Sequence, residues 1–255
     1  MCYDSAYLTK RSVDYARRVG YSEETMAELQ ARFAHLQKAQ PPQYHVTGFA
    51  HPGLPVLIAE EPEHPHLFHW GLIPFWVKNE KQAYSLHHKT LNARCESIFS
   101  KPAYRASARY RRCLVILDGF YEHHHYQGKT YPFYIQLKSE EPLLMAGLWD
   151  QWDDEFGRTL FSVSIVTTRG NALMAKIHNN PKLSGPRMPV ILPKGEEHTW
   201  LNTQYGEPDL APVFEPYPAE ALQAHPVATL RGKNAIGNCP EAQQLQPYPE
   251  LPLTI

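Results

Sequence analysis

The hydrophobic pattern from about residue 54 onward consists of short apolar runs separated by Pro, Gly and charged residues. Runs of this length that are rich in Val, Ile, Phe and Tyr are typical of β-strands. The predicted strands are LPVLIA at 54–59, RCLVILDGFYE at 112–122, YPFYIQL at 131–137, PLLMAGLW at 142–149 and LFSVSIVTT at 160–168. Most of the folded chain is therefore expected to be β-structure.

Helical periodicity is confined to a few segments. In SEETMAELQARFAHLQK, Ser22 can cap a helix whose apolar stripe holds Met26, Leu29, Phe33 and Leu36. Shorter helices are predicted at 171–177 and around 196–202. This mixture favours an α+β fold in which a mixed β-sheet forms a barrel-like core with peripheral helices, and not alternating βαβ units. We expect a single domain over residues 1–255, since no internal repeat is visible.

Composition narrows the class of protein. The 255 residues are 43% hydrophobic and 20% charged, which is ordinary for a folded domain. The formal net charge is −1, so any nucleic-acid binding must come from a local basic patch. The four cysteines form no CxxC pair, and no secretory or membrane-spanning pattern is recognisable. We therefore expect a cytoplasmic monomer that does not bind membranes.

Cys2 is the first candidate for chemistry. Removal of Met1 leaves an amine and a thiol on adjacent carbons, and such a 1,2-aminothiol traps aldehydes. An α-amine with a pKa of about 8 is far more available as free base at neutral pH than a lysine with a pKa of about 10.4. It forms a Schiff base readily. The thiol can then close a five-membered thiazolidine ring.

Further motifs accompany Cys2 along the chain. They are WGLIPFW at 70–76, LNARCES at 91–97, RRCLVILDGFYE at 111–122, MAKIH at 174–178 and RMPVIL at 187–192. In order and spacing they resemble the SOS response-associated peptidase (SRAP) family, whose members begin Met-Cys-Gly-Arg and carry Asn-Ala-Arg, Gly-Phe-Tyr-Glu and Ile-His-x-Arg-Met-Pro motifs. The resemblance extends from Cys2 to about Leu192.

The resemblance implies a barrel-like fold with a basic groove for single-stranded DNA and a site of Cys2, Asn92, Glu122 and His178. It also implies a cofactor-free, covalent thiazolidine crosslink to abasic sites, formed where the protein associates with nucleoid DNA, with possible lyase and peptidase activities. His178, expected to titrate near neutrality, suits opening of the closed sugar. Glu122 suits proton transfer to and from the carbinolamine, and Asn92 suits hydrogen bonding without titrating.

Basic and aromatic side chains are the candidates for DNA contact. Arg94 lies in LNARCES, two residues after Asn92, and Arg187 begins RMPVIL. Each can hold a phosphate. A dense cluster around Arg111 and Arg112 also contains Tyr104, Arg105, Arg109 and Tyr110. Trp70 and Trp76 flank a short turn that can present an aromatic wedge to an unstacked base, although core packing competes for at least one of them.

The chain departs from the family pattern at several positions. Tyr3-Asp4 replaces Gly-Arg after Cys2, so that an anion stands where the family has a cation that suits phosphate contact. His123 replaces the Trp that usually follows the Glu of the Phe-Tyr-Glu motif. The segment NPKLSGP at 180–186 is an insertion beside His178. These departures can change DNA affinity and the shape of the site.

Other functions remain open. An N-terminal-Cys peptidase or amidohydrolase would use Cys2 as a nucleophile toward an acyl group. A metal-dependent hydrolase is suggested by 14 His residues, but there is no HExxH motif and we expect no metal. A module that binds single-stranded DNA without a covalent step would not need Cys2.

Overall fold

The computed structural model describes residues 3–8 and 23–251, with the side chains of the first helix described from residue 27 onward. The strands are β1 (Asp4–Tyr7), β2 (Gln43–Thr47), β3 (Gly53–Ile58), β4 (His66–Trp70), β5 (Asn92–Arg94), β6 (Arg112–Leu117), β7 (Gly119–Tyr126), β8 (Lys129–Leu137), β9 (Leu143–Asp153), β10 (Thr159–Arg169), β11 (Arg187–Pro189) and β12 (Leu222–Pro226). The helices are α1 (Glu23–Ala39), α2 (Glu80–His87), α3 (Arg105–Tyr110), α4 (Ala172–Ile177) and α5 (Glu197–Leu201).

A closed β-barrel forms the centre of the molecule. β10 pairs with β9, β9 with β6, β6 with β3 and β3 with β4, all antiparallel, and a parallel pairing of β4 with β10 closes the ring. Apolar side chains such as Val56, Val115 and Met145 are fully buried in it. The predicted α+β fold with a mixed, barrel-like sheet and peripheral helices is confirmed.

A second sheet carries part of the candidate site. Its order is β12-β8-β7-β1-β2, and β1 lies antiparallel between β7 and β2. The predicted single strand at 112–122 is wrong, because the chain leaves the barrel at Asp118 and enters this second sheet at Gly119. A side chain at Gly119 would lie 2.4 Å from the ring of Tyr134, so the crossing requires glycine.

The predicted helices at 22–38, 171–177 and 196–202 are confirmed as α1, α4 and α5, within a few residues at their ends. On α1, Leu29 and Phe33 are buried against the core, as their apolar spacing predicts. The proposed cap Ser22 and the side chain of Met26 lie outside the described residues. Among the residues that the structure describes, no helix is both long and apolar enough to cross a bilayer.

The chain after β12 returns to the second sheet. Asn238 Oδ1 accepts hydrogen bonds from the backbone amides of Tyr44, at 2.7 Å, and His45, at 3.2 Å. Tyr248 donates its hydroxyl to the carbonyl of Val227 at 2.8 Å. These contacts fix the C-terminal segment beside β1 and β2, which places its loop at 229–231 next to the candidate site.

Candidate functional site

Glu122 and His178 meet although they come from different elements. Glu122 lies on β7, and His178 follows directly after α4. Glu122 Oε2 is 3.6 Å from His178 Nδ1, and both side chains are buried. α4 is held in register by Asn171, whose Oδ1 accepts a hydrogen bond from the amide of Met174 at 2.9 Å. The structure thus brings together two of the predicted site residues.

Burial shifts the two groups in opposite directions. It raises the pKa of Glu122 from 4.5 to about 7, because the charged carboxylate is poorly solvated. It lowers the pKa of His178 from 6.5 to about 4 for the same reason. The expected near-neutral titration of His178 is therefore wrong. Between about pH 4 and 7 the Glu122 carboxyl and the His178 imidazole are both neutral, so they do not form a salt bridge in that range.

The neutral ring of His178 has a defined tautomer. Its Nδ1 lies 3.1 Å from the amide nitrogen of Arg187 and 3.2 Å from the carbonyl oxygen of the same residue. Because the amide N–H of Arg187 donates to Nδ1, we assign the ring proton to Nε2. His178 therefore offers a hydrogen-bond donor at Nε2.

A cavity of about 500 Å³ opens beside this pair. Its lining comes from the start of β1, from β7 and β8, from His178 and the segment after it, and from the loop at 229–231. The pairing of β1 with β7 sets Asp4 opposite Tyr121, and continuing that register sets Tyr3 opposite Glu122. Tyr3 and Asp4 both line the cavity. Cys2, the residue before Tyr3, lies outside the described residues.

Asn92 is half-buried on β5, which runs parallel to β10 opposite Ile165. Its carbonyl oxygen accepts a hydrogen bond from the hydroxyl of Tyr104 at 3.1 Å. It does not belong to the described lining of the cavity. Its role beside the reacting groups stays a prediction.

Arg187 connects β11 to the segment after β5. Its guanidinium bonds both carboxylate oxygens of Glu96, at 2.5 and 2.9 Å, and the carbonyl of Thr167 at 2.7 Å. The hydrogen bonds from Arg187 lower the pKa of Glu96 to about 2, so this pair is ionised at neutral pH. Arg94, by contrast, is exposed and has no ion-pair partner within the described part of the chain.

Two of the predicted DNA contacts are wrong because their side chains are buried. Trp70 is 0% exposed, and its indole N–H donates to the carbonyl of Leu91 at 2.9 Å. Arg112 is 1% exposed, and its guanidinium donates to the backbone carbonyls of Ala108, Asn202 and Tyr205. Both side chains support the fold and cannot reach a nucleic acid.

Their sequence neighbours Trp76 and Arg111 do reach the surface. Trp76 is half-exposed and donates its indole N–H to the carbonyl of Pro102 at 3.3 Å. Arg111 pairs with buried Asp150 at 2.7 Å, and its guanidinium lies 5.7 Å from the ring centroid of exposed Phe75. These two side chains remain available to a ligand.

The departure at Asp4 is compensated within the fold. Asp4 is buried, and its carboxylate bonds His45 Nε2 at 3.1 Å and the guanidinium of Arg231. Burial raises the pKa of Asp4, but the hydrogen bond from His45 and the charge of Arg231 outweigh it, so that the net pKa lies below its ordinary value. Neither His45 nor Arg231 lies in a motif that the sequence pattern singles out, so their placement here required the structure.

The other departures also lie at the cavity. His123 and His125 line it, while His124 between them points away and places Nδ1 2.9 Å from the carbonyl of Lys176. Asn179 fixes the start of the insertion, because its side chain bonds both the amide and the carbonyl of His125, at 2.7 and 2.9 Å. Leu183 of the insertion then lines the cavity. In the described residues, no group of His, Cys, Asp or Glu is arranged to hold a metal ion.

Comparison with known proteins assigns the class. The family model described as SOS response associated peptidase (SRAP) matches residues 8–233, and the chain belongs to this family. It is similar to the Bacillus subtilis (strain 168) protein named abasic site processing protein YoqW, with 39% identity over 163 residues that cover 63% of this chain and 68% of the relative. It is also similar to abasic site processing protein HMCES of Xenopus tropicalis, with 34% identity over 193 residues that cover 68% of this chain and 54% of the relative.

A solved structure shows the same fold. An X-ray structure of a Bacteroides thetaiotaomicron protein superimposes with a TM-score of 0.81 at 30% identity, and the match covers 96% of this chain and 100% of that chain. The shared architecture therefore includes the second sheet and the C-terminal segment as well as the barrel.

Proposed function

We propose that this protein processes abasic sites in single-stranded DNA by forming a covalent thiazolidine crosslink through Cys2 after removal of Met1. The observation that carries the proposal is the cavity in which Glu122 and His178 lie beside Tyr3 and Asp4, the residues that follow Cys2 in the chain. Membership of the SRAP family and the names of the relatives support the substrate class.

The proposed chemistry begins when the α-amine of Cys2 attacks the aldehyde carbon of the opened deoxyribose. The resulting carbinolamine loses water and becomes a Schiff base. The Cys2 thiol then adds across the C=N bond, its proton passes to the nitrogen, and a thiazolidine ring is closed. Overall, one aldehyde and one aminothiol give one thiazolidine and one water, without an oxidant or a cofactor.

Glu122 is suited to the proton transfers in this sequence. With a pKa of about 7 it exists in both protonation states at neutral pH. The protonated acid can donate to the departing hydroxyl of the carbinolamine, and the carboxylate can take a proton from the attacking amine. Its buried position next to residue 3 keeps bulk water from competing with it for these protons.

His178 is suited to a different task. Because the neutral ring carries its proton on Nε2, it can donate a hydrogen bond to the ring oxygen of the closed sugar and so favour opening to the aldehyde. Its low pKa means that it acts as a neutral donor and not as an imidazolium. Asn92 is proposed to hold a sugar hydroxyl or the amine by hydrogen bonding.

The DNA strand is proposed to contact Arg94, Arg111, Arg187 and Trp76. Arg94 is exposed and free to neutralise a phosphate, and half-exposed Trp76 can stack on an unpaired base. Arg187 is already paired with Glu96, so it can orient a phosphate by hydrogen bonding but adds little net positive charge. The overall charge of −1 makes such local contacts necessary.

A denaturing gel tests the proposal. Protein with confirmed loss of Met1 is incubated with a single-stranded oligonucleotide that carries one abasic site, and with the same oligonucleotide without the lesion. We expect a denaturant-resistant protein–DNA species with the abasic oligonucleotide and none with the oligonucleotide that lacks the lesion. Its absence would contradict the crosslink and favour a peptidase or amidohydrolase that uses Cys2 toward acyl groups, which cleavage of peptide or amide substrates would then reveal.

A further inference from the structure

Arg231 holds an unusual place among the residues that line the cavity. Of the described lining residues it is the one with a permanent positive charge, whereas Asp4 and Glu122 are acidic and the remainder are His or uncharged. An anionic ligand that enters this space meets the carboxylate of Asp4 and the carboxyl group of Glu122. A guanidinium at the same wall is the group that can make its binding favourable.

Arg231 is both anchored and accessible. Its side chain is 51% exposed, and one of its terminal nitrogens bonds Oδ2 of buried Asp4. Asp4 is its partner within the described residues, and a guanidinium has five N–H groups. The other donors are therefore available to a second acceptor, and the buried carboxylate limits the directions in which they can point.

The loop that carries Arg231 is fixed by its neighbours. Leu230 is buried in a small cluster with Ala6 and Tyr121 of the second sheet. The amide of Ile236 donates to the carbonyl of Thr229 at 2.9 Å, which closes the loop on itself. The position of the guanidinium is thus determined before any ligand arrives, and a preorganised donor loses little conformational entropy on binding.

We propose that Arg231, positioned by Asp4, binds a backbone phosphate of the DNA next to the abasic nucleotide. The inference rests on the proposed function, because the cavity beside Glu122 and His178 is where the abasic sugar would sit. The C-terminal loop then provides a cation at the same place where the start of the chain carries the anion Asp4. The Asp4–Arg231 pair is a positioning device for phosphate binding and does not take part in bond formation.

The test is DNA affinity as a function of salt for wild type, Arg231→Gln and Arg231→Lys. The probe is a single-stranded oligonucleotide with a stable tetrahydrofuran abasic analogue, which binds without reacting. Loss of one phosphate contact should weaken binding roughly threefold to tenfold at low salt and reduce the slope of log affinity against log salt by about 0.7. Arg231→Lys should recover the slope but only part of the affinity, since one ammonium replaces a fork of donors.

Two further variants control the result. Arg158 is an exposed arginine outside the cavity that pairs with Asp154 and Glu80, so Arg158→Gln should leave affinity and slope unchanged. The double variant Asp4→Asn/Arg231→Gln removes both charges, so no buried carboxylate is left without its guanidinium partner. It should show the same weaker binding and reduced salt slope as Arg231→Gln. Thermal unfolding checks that each variant is folded.

The outcomes separate this inference from the proposed function. If wild type crosslinks abasic DNA but Arg231→Gln binds the analogue with wild-type affinity and slope, the phosphate role of Arg231 is wrong while the proposed function stands. If wild type forms no crosslink, the proposed function fails, and the binding data with the analogue still decide whether Arg231 contacts a phosphate.

Discussion

Glu122 Oε2 lies 3.6 Å from His178 Nδ1, yet the two side chains do not form an ion pair between about pH 4 and 7, because burial favours the neutral form of each. Because the carboxyl group and the imidazole are both neutral, neither must leave an ion pair before it exchanges a proton with a substrate in this poorly solvated site. This relationship gives each residue a separate proposed task, and the tasks can be tested separately.

The pH dependence of crosslinking tests Glu122. The α-amine, with a pKa of about 8, must be unprotonated to attack, so the reactive fraction of the amine increases with pH up to that value. Loss of water from the carbinolamine needs protonated Glu122, whose pKa of about 7 makes the rate fall at higher pH. Wild type should therefore show a bell-shaped profile.

Glu122→Gln should slow crosslinking by about a hundredfold to ten-thousandfold and remove the fall at high pH, while the rise with pH remains. Single-turnover rates from pH 5 to 9, with enzyme in excess over abasic oligonucleotide, measure both effects. A variant profile that keeps its high-pH fall would show that another group is responsible.

His178→Ala should affect closed and open substrates differently. Its proposed donor at Nε2 assists opening of the hemiacetal, so the variant should slow reaction with abasic DNA by about a hundredfold or more. Reaction with a small open-chain aldehyde should change much less, whereas Glu122→Gln should slow both reactions. Equal losses for His178→Ala on the two substrates would remove the ring-opening role.

Protein stability provides a readout that is independent of activity. The folded-state pKa of Glu122, about 7, lies above its ordinary value of 4.5, so ionisation is unfavourable in the folded protein. The resulting loss of stability is absent below about pH 4.5, grows as pH rises and is complete above about pH 7, with an upper bound on the order of 3 kcal/mol.

Glu122→Gln removes this loss, so its Tm relative to wild type should increase between pH 4.5 and 8. Thermal unfolding at both pH values measures the difference. A constant difference in Tm across that range would mean that the carboxyl titrates normally in the folded state.

The two tryptophans of the WGLIPFW motif should behave as opposites. Trp70→Ala removes a fully buried indole and its hydrogen bond to Leu91, and should cost about 3–5 kcal/mol of folding free energy. Trp76→Ala should leave stability nearly unchanged but weaken binding of single-stranded DNA by about 1–3 kcal/mol. Unfolding and binding titrations on both variants check this, and a stability loss at Trp76 as large as that at Trp70 would contradict its assignment to the surface.

Sequence patterns predicted the barrel-like α+β fold and the main strands and helices, because apolar alternation and capping residues act locally. They did not predict the break at Asp118, which depends on how closely Gly119 approaches Tyr134 in another strand. Burial of Trp70 and Arg112 likewise follows from tertiary packing, since a Trp or an Arg in a motif has the same sequence signature whether it faces a ligand or the core.

The family resemblance implies a site that contains Glu122 and His178, and the structure places these two side chains 3.6 Å apart. The pKa of His178 was misjudged because burial cannot be read from its immediate neighbours in the chain. The pairing of Asp4 with His45 and Arg231 does not follow from the sequence, because the three residues are far apart in the chain and only the fold brings them together.

The most direct test of the central claim is intact mass spectrometry of Met1-free protein after incubation with a single-stranded oligonucleotide carrying one abasic site. Wild type should gain the mass of the oligonucleotide minus one water, stable without reductant, and peptide mapping should place the adduct on Cys2. Cys2→Ser should give a stable adduct only after borohydride reduction, because its Schiff base forms but cannot close a thiazolidine ring; the reduced product is a secondary amine that carries two more hydrogens than a Schiff base. A stable adduct on Cys2→Ala without reductant, or no adduct on wild type, would contradict the account.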